Sequence, residues 1–313
     1  MAATGPNHFD NANNWSGGVA PVGGDTVVYD SGAIDCLHAL DTGLELNVEV
    51  TQGYTGKIGR AEVNTDNSSY PYAEYREKYL KLTKDGGGTY VRIGDGDGNG
   101  SRRIRIDIND MDDATVTVYN SGTAESTSVP AVFIKGGGGS TLNLKKGTIG
   151  VAYYAGESAD FDAVYISYVS SVTSDVTATF GSGAAMSDAT FLQTGGTVEL
   201  NAANSSGTVT LGGGVLSIEG SGAQASIQVN GGTLYYSSSG TITTIGVGDG
   251  GIVDLTRDNA AKTITNTNLY KGATWLDSNK VVTYTNGLDL EGCSLADVTV
   301  DIGSHVTITP SAI

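Results

Sequence analysis

Three oxygen-bearing side chains at alternate positions, Asp95, Asp97 and Asn99, stand in the run Asp95-Gly96-Asp97-Gly98-Asn99-Gly100. Donors at positions one, three and five with glycine at six match the first half of a calcium loop, in which carboxylate and amide oxygens replace the ion's water. The second half departs from that pattern. Ile106 stands where a bidentate glutamate belongs, Asp107 comes one residue late, and Arg103 places positive charge within the loop. Calcium is the one cofactor suggested, on an incomplete ligand set, and a solvated acidic loop accounts for the same residues. The sequence suggests no other cofactor.

Glycoside cleavage needs two carboxylates about 5–9.5 Å apart in a cleft. Asp107, Asp110, Asp112 and Asp113 form one dense group of acids, and Glu157, Asp160 and Asp162 a second. Acids on solvated loops explain both groups more simply. His8, His38 and His305 are scattered without ligand spacing, which argues against a zinc site or a serine triad. No Gly-x-Ser-x-Gly elbow joins a strand to a helix. No catalytic residue is expected, and the chain reads as a non-enzyme. Exposed aromatics are a different kind of candidate. Tyr153-Tyr154, Tyr165, Tyr168 and Tyr235-Tyr236 are spread along the second half. In a strand, one ring of each adjacent pair must point outward. Such rings would line a sugar groove, a seam between subunits, or a plain stacked ladder.

The formal net charge of −17 argues against broad contact with nucleic-acid phosphates. The charge is uneven. Lys57, Arg60, Arg76, Lys78, Lys81, Lys84, Arg92, Arg102, Arg103 and Arg105 concentrate ten of the 17 basic side chains in one stretch. Its functional reading is a docking patch for an acidic partner surface, and its plain reading is solvated strand faces.

The elements that must position these residues are announced by a repeat. Gly195-Gly196, Gly213-Gly214, Gly231-Gly232 and Gly250-Gly251 recur at 18, 18 and 19 residues. Each pair is followed by two apolar residues two apart: Val198 and Leu200, Leu216 and Ile218, Leu234 and Tyr236, Val253 and Leu255. Alternation is the mark of a strand face. A fixed period near 20 residues is the mark of a solenoid, whose coils must stack to bury their apolar faces. Eighteen residues make a circuit of roughly 59 Å, enough for two or three short strands with glycine corners. The third interval gains its residue near Asp249, and a third strand per coil is only weakly marked by Ala223, Ala225 and Ile242.

The expected fold is all-β: a parallel β-solenoid, right-handed by the rule for parallel crossovers, with an irregular N-terminal β cap. Residues 1–24 read as an arm or cap, 25–139 as an irregular β region, and 140–313 as a solenoid of about 18-residue coils. Residues 72–82 suit a short helix or a strand equally well. No apolar run approaches a membrane helix, and the N-terminus is polar rather than signal-like. Cys36 and Cys293 are no disulfide framework and read as small buried residues.

The opening Asn13-Asn14-Trp15-Ser16-Gly17-Gly18-Val19-Ala20-Pro21, followed by Gly24-Asp25-Thr26-Val27-Val28, resembles that of phage- and prophage-encoded β-solenoid virion proteins. Tyr54-Thr55-Gly56-Lys57-Ile58-Gly59 and Glu74-Tyr75-Arg76-Glu77-Lys78-Tyr79-Leu80 continue the likeness, with a weaker echo at Thr263–Tyr270. The resemblance implies a place on a particle rather than an activity. It suggests an outer capsid decoration or cement protein of a tailed phage, partnered with the major capsid protein or other virion proteins; a homotrimer is expected, without nucleic acid or membrane. The alternative it leaves open is a receptor-binding fibre or spike that recognises, or cleaves, host glycans.

Overall fold

In a computed structural model the chain is described over residues 5–61, 75–84, 88–94, 103–121, 129–166, 176–201, 206–302 and 308–310. It is all-β, and among the described residues every strand pairing is parallel. Two compact units are present: residues 1–142 with 146–151, and residues 143–145 with 152–313.

In the second unit the glycine repeat becomes a backbone ladder. The strands Val176–Phe180, Thr197–Leu200, Val215–Ile218, Thr233–Tyr236, Ile252–Asp254, Thr274–Leu276 and Thr299–Asp301 stack in register. Val198, Leu216, Leu234, Val253 and Trp275 form one inward column, and all are fully buried. A second ladder runs through Ala159–Ile166, Ala184–Gln193, Ser206–Leu211, Gln224–Val229, Ile242–Val247 and Lys262–Leu269. Val209, Ile227 and Ile245 form a column there, with Leu211, Val229, Val247 and Leu269 beside it. Each such residue contributes about 1.5–3 kcal/mol by leaving water. Ile242 opens the long second strand, so the weakly marked third strand is part of it.

The corners explain the glycines. Gly196, Gly214 and Gly232 adopt φ of 74°, 80° and 73°. In the third interval the extra residue falls where the sequence places it. Val229 and Val247 pair, Thr233 and Ile252 pair, and between them one corner has one residue more than the other. Asp249 and Gly250 take up the surplus with φ of 52° and 84°. Gln193 occupies an inward position in the column of Leu211. Its Nε2 donates to the carbonyls of Gly195, Gly196 and Val215 at 3.1, 3.2 and 3.0 Å, latching the first corner from inside.

The expected cap over residues 25–139 is itself coiled. Thr26–Tyr29, Asn47–Val50, Tyr90–Ile93 and Thr115–Val118 form a parallel ladder, with Val27, Val48, Val91 and Val116 in one buried column. Leu80–Lys84, Ile104–Asp112 and Val132–Leu144 form another. The segment that suited a helix or a strand is thus a strand from Leu80. These coils escape a periodic reading because their circuits differ: 21 residues from Val27 to Val48, 43 to Val91 and 25 to Val116.

Candidate functional site

The residues singled out by the sequence do not converge. Asp95, Asp97, Asn99 and Arg102 lie outside the described residues, as does the Lys84 side chain. The proposed basic docking patch is not one exposed face. Arg105 is fully buried, its guanidinium 4.4 Å from the Phe133 ring centre and 5.5 Å from that of Tyr79. Arg103 is 7% exposed and donates to the Gly59 carbonyl at 3.0 Å. Both must be removed from any docking face: Arg105 is covered by Tyr79 and Phe133, and Arg103 is turned to the Gly59 carbonyl. Arg60 is spent on the carbonyls of Arg76 and Ala61. Lys81 and Arg92 are exposed but matched by Asp41 at 2.8 Å and Glu49 at 3.2 Å. Lys57, Arg76 and Lys78 are half-buried.

Of the first acid group, Asp107 is buried against Lys135 at 2.9 Å and Asp113 is exposed, while the side chains of Asp110 and Asp112 lie outside the described ones. Glu157 accepts from the Tyr154 backbone N–H, while Asp160 and Asp162 point outward. Of the tyrosine pairs, Tyr236 is buried and Tyr235 faces out beneath Arg257, whose guanidinium carbon sits 3.0 Å from the ring centre.

The structure builds a different site at the start of the first unit. Asn11 caps the short 3-10 helix Ala12–Asn14 by accepting from the Asn13 backbone N–H. Asn14 Nδ2 donates to the carbonyls of Pro6 and His8, and Trp15 Nε1 donates to the Phe9 carbonyl at 2.8 Å. These bonds fold the segment onto the first coil and set Trp15 edge-on to Phe9 and Tyr29, with ring centres 5.3 and 5.7 Å apart. Tyr29 in turn lies 5.1 Å from Tyr54. His8 bridges His38 in parallel register, and their rings stack at 4.5 Å. Sequence spacing had left these histidines apart. Only the length of the first circuit brings residue 38 under residue 8, and no local motif encodes that length.

His8, Asn14, Trp15, Tyr29 and Tyr54 line a half-open pocket of about 290 Å³. Cys36 lines it as a free thiol and receives a hydrogen bond from the Tyr29 hydroxyl at 3.8 Å. Burial pushes that thiol up to about 11. The Tyr29 bond opposes the shift, while the carboxylates of Glu77, Asp10 and Asp35 add to it. Unfolded, the thiol ionises near 9.0. Between those two values the unfolded chain holds fewer protons, so stability is complete below pH 9 and falls as pH rises. Urea titrations should lose on the order of 2–3 kcal/mol between pH 9 and 11, and less in Cys36→Ala. Equal losses in the two proteins would show that the thiol does not set this dependence.

A second concavity, an open groove of about 570 Å³, lies on the outer side of the second unit. Tyr270 there is 40% exposed. It leans over Gly248, where an added Cβ would lie 2.9 Å from the Tyr270 Cβ. Gln228 and Asn230, joined by a 2.8 Å bond, stand on one side and Glu291 on the other. An aromatic ring among planar amides and a carboxylate is suited to stacking on a sugar ring and binding its hydroxyls.

Among the described residues no group of three or more histidine, cysteine or acidic side chains is placed to hold a metal ion. Comparison with protein-family models, curated proteins and solved structures finds no match.

Proposed function

We propose that the chain is a non-enzymatic structural protein of a tailed-phage particle, a decoration or cement protein on the outer capsid, acting as a homotrimer against the major capsid protein. The observation that carries the reading is the exposed apolar character near the chain's start. Val19, Val22, Val28 and Ile34 are 68%, 62%, 42% and 55% exposed. Exposed apolar side chains gathered in one short stretch suit attachment to another protein surface. They replace the dispersed basic side chains as the docking candidate. The ladder behind them is a fixed body that holds the attachment residues in place.

The test is to locate the chain in purified particles and count it. Hundreds of copies support decoration, and absence from particles overturns it. Val22→Asp together with Ile34→Asp should lower occupancy on the particle without shifting the melting temperature. A second reading, a fibre or spike that binds host glycans, is favoured by the Tyr270 groove alone. A glycan-array signal lost in Tyr270→Ala would select it.

A further inference from the structure

The pocket beside Trp15 joins aromatic and aliphatic surface to polar groups that include a carboxylate. Trp15, Tyr29 and Tyr54 supply aromatic surface, and Val28 and Ile34 stand at its margin. The rings meet at 71° and 53° rather than in a flat stack. They are held from behind. Tyr29 donates to Cys36, Tyr54 donates to the Ile34 carbonyl at 2.7 Å, and Trp15 donates to Phe9. A cavity whose walls are already fixed loses little freedom when it fills.

Asp30 lines the pocket, and among the described residues no lysine or arginine does. His8, the one basic side chain among the described lining residues, lies 3.6 Å from Asp10 and is stacked on His38. Asp10 and Asp35 are near enough to oppose ionisation of the Cys36 thiol. Burial, the larger cause of that thiol's shift, acts on either charge, but this repulsion acts only against an anion and favours a cation. An anion would meet Asp30 and this field together. A cation with an apolar shell meets electron-rich ring surface, and its charge is answered by Asp30.

We infer that this pocket binds a small organic cation of the quaternary or methylated ammonium class, with Trp15, Tyr29 and Tyr54 against its methyl groups and Asp30 as counter-charge. The volume sits at the lower end for small-molecule sites, which suits a headgroup rather than an extended ligand. This goes beyond the particle role and does not depend on it: the binding is measured on the isolated full chain, so either proposal can fail alone.

The chain contains two tryptophans, and Trp275 is fully buried, so acrylamide quenching of fluorescence reads Trp15. Choline and tetramethylammonium should each protect Trp15 from quenching at millimolar concentration. The uncharged isostere of choline, with carbon in place of nitrogen, should bind at least about tenfold more weakly. Asp30→Asn alters an exposed side chain and keeps the Oδ1 that accepts from Ser31, so the fold should persist. It should weaken choline at least about tenfold. Sedimentation with phosphatidylcholine vesicles separates a membrane-borne headgroup from a free cation as the source. Equal binding of the isostere, full affinity in Asp30→Asn, or no protection by either cation up to roughly 50 mM would each overturn the inference.

Discussion

Gly214→Ala is expected to destabilise the second unit by about 3–5 kcal/mol, whereas Gly250→Ala, at a corner of the same repeat, should cost only about 1–2 kcal/mol. Both residues have positive φ, 80° and 84°. The conformational penalty on an L side chain is therefore shared. The surroundings are not. A Cβ on Gly214 would lie 2.3 Å from the Gly196 carbonyl oxygen and 2.6 Å from the Gly195 carbonyl carbon, while one on Gly250 meets nothing within 4 Å. Gly232 repeats the arrangement, with its added Cβ 2.5 Å from the Gly214 oxygen. The clash is with backbone on the next coil, which cannot rotate away as a side chain can. In a Trp15→Phe background, urea unfolding followed by Trp275 emission reads the second unit directly. Equal costs at the two glycines would mean that the corners do not seat on one another.

The second large effect is at Trp275. It is fully buried in the column below Val253, and its Nε1 donates to the Tyr284 hydroxyl at 2.7 Å. That hydroxyl donates to Asp277 Oδ2 at 3.1 Å, and Asp277 Oδ1 accepts from the Val281 backbone N–H. Asp277 is itself fully buried. Burial, with the Asp277 carboxylate next, holds the Tyr284 phenol well above its ordinary range, so it remains a donor. Trp275→Ala removes the largest buried side chain and breaks this chain of bonds, for an expected loss of about 3–5 kcal/mol. Tyr284→Phe leaves two buried partners short and should cost about 1–3 kcal/mol. The double variant should fall short of the summed losses by about 1 kcal/mol. Strict additivity, read by circular dichroism across urea series, would show that Trp275 and Tyr284 do not act together.

The second unit was legible because one circuit is copied several times. Gly195 to Leu255 spells out the corner, the inward pair and even the surplus residue at Asp249. The first unit carries the same architecture without a legible period. Its strands keep their alternation, as at Val27 and Tyr29, but circuits of unequal length hide their recurrence. The pocket was illegible for the same reason. His8 and His38, or Tyr29 and Tyr54, meet only once the path of the first coil is known. The charge reading failed differently. Arg103 and Arg105 alternate with Ile104 and Ile106, so a strand rule sends them outward. It carries no information about what lies over that face, where Tyr79 and Phe133 cover Arg105 and Arg103 turns to the Gly59 carbonyl.

The seating of Gly232 on Gly214, and of Gly214 on Gly196, makes each coil interchangeable with the next. Residues 213–230 begin and end at equivalent points: excising them joins Gly212 to Gly231 and recreates the run Leu211-Gly-Gly-Gly. Gly232 would then rest on the Gly196 carbonyl, and every strand below would move up by one step of about 4.8 Å. Duplication would do the reverse. Unequal recombination within the gene can thus change the protein's length in whole steps without redesigning either end. The repeat works as a ruler whose graduations are heritable.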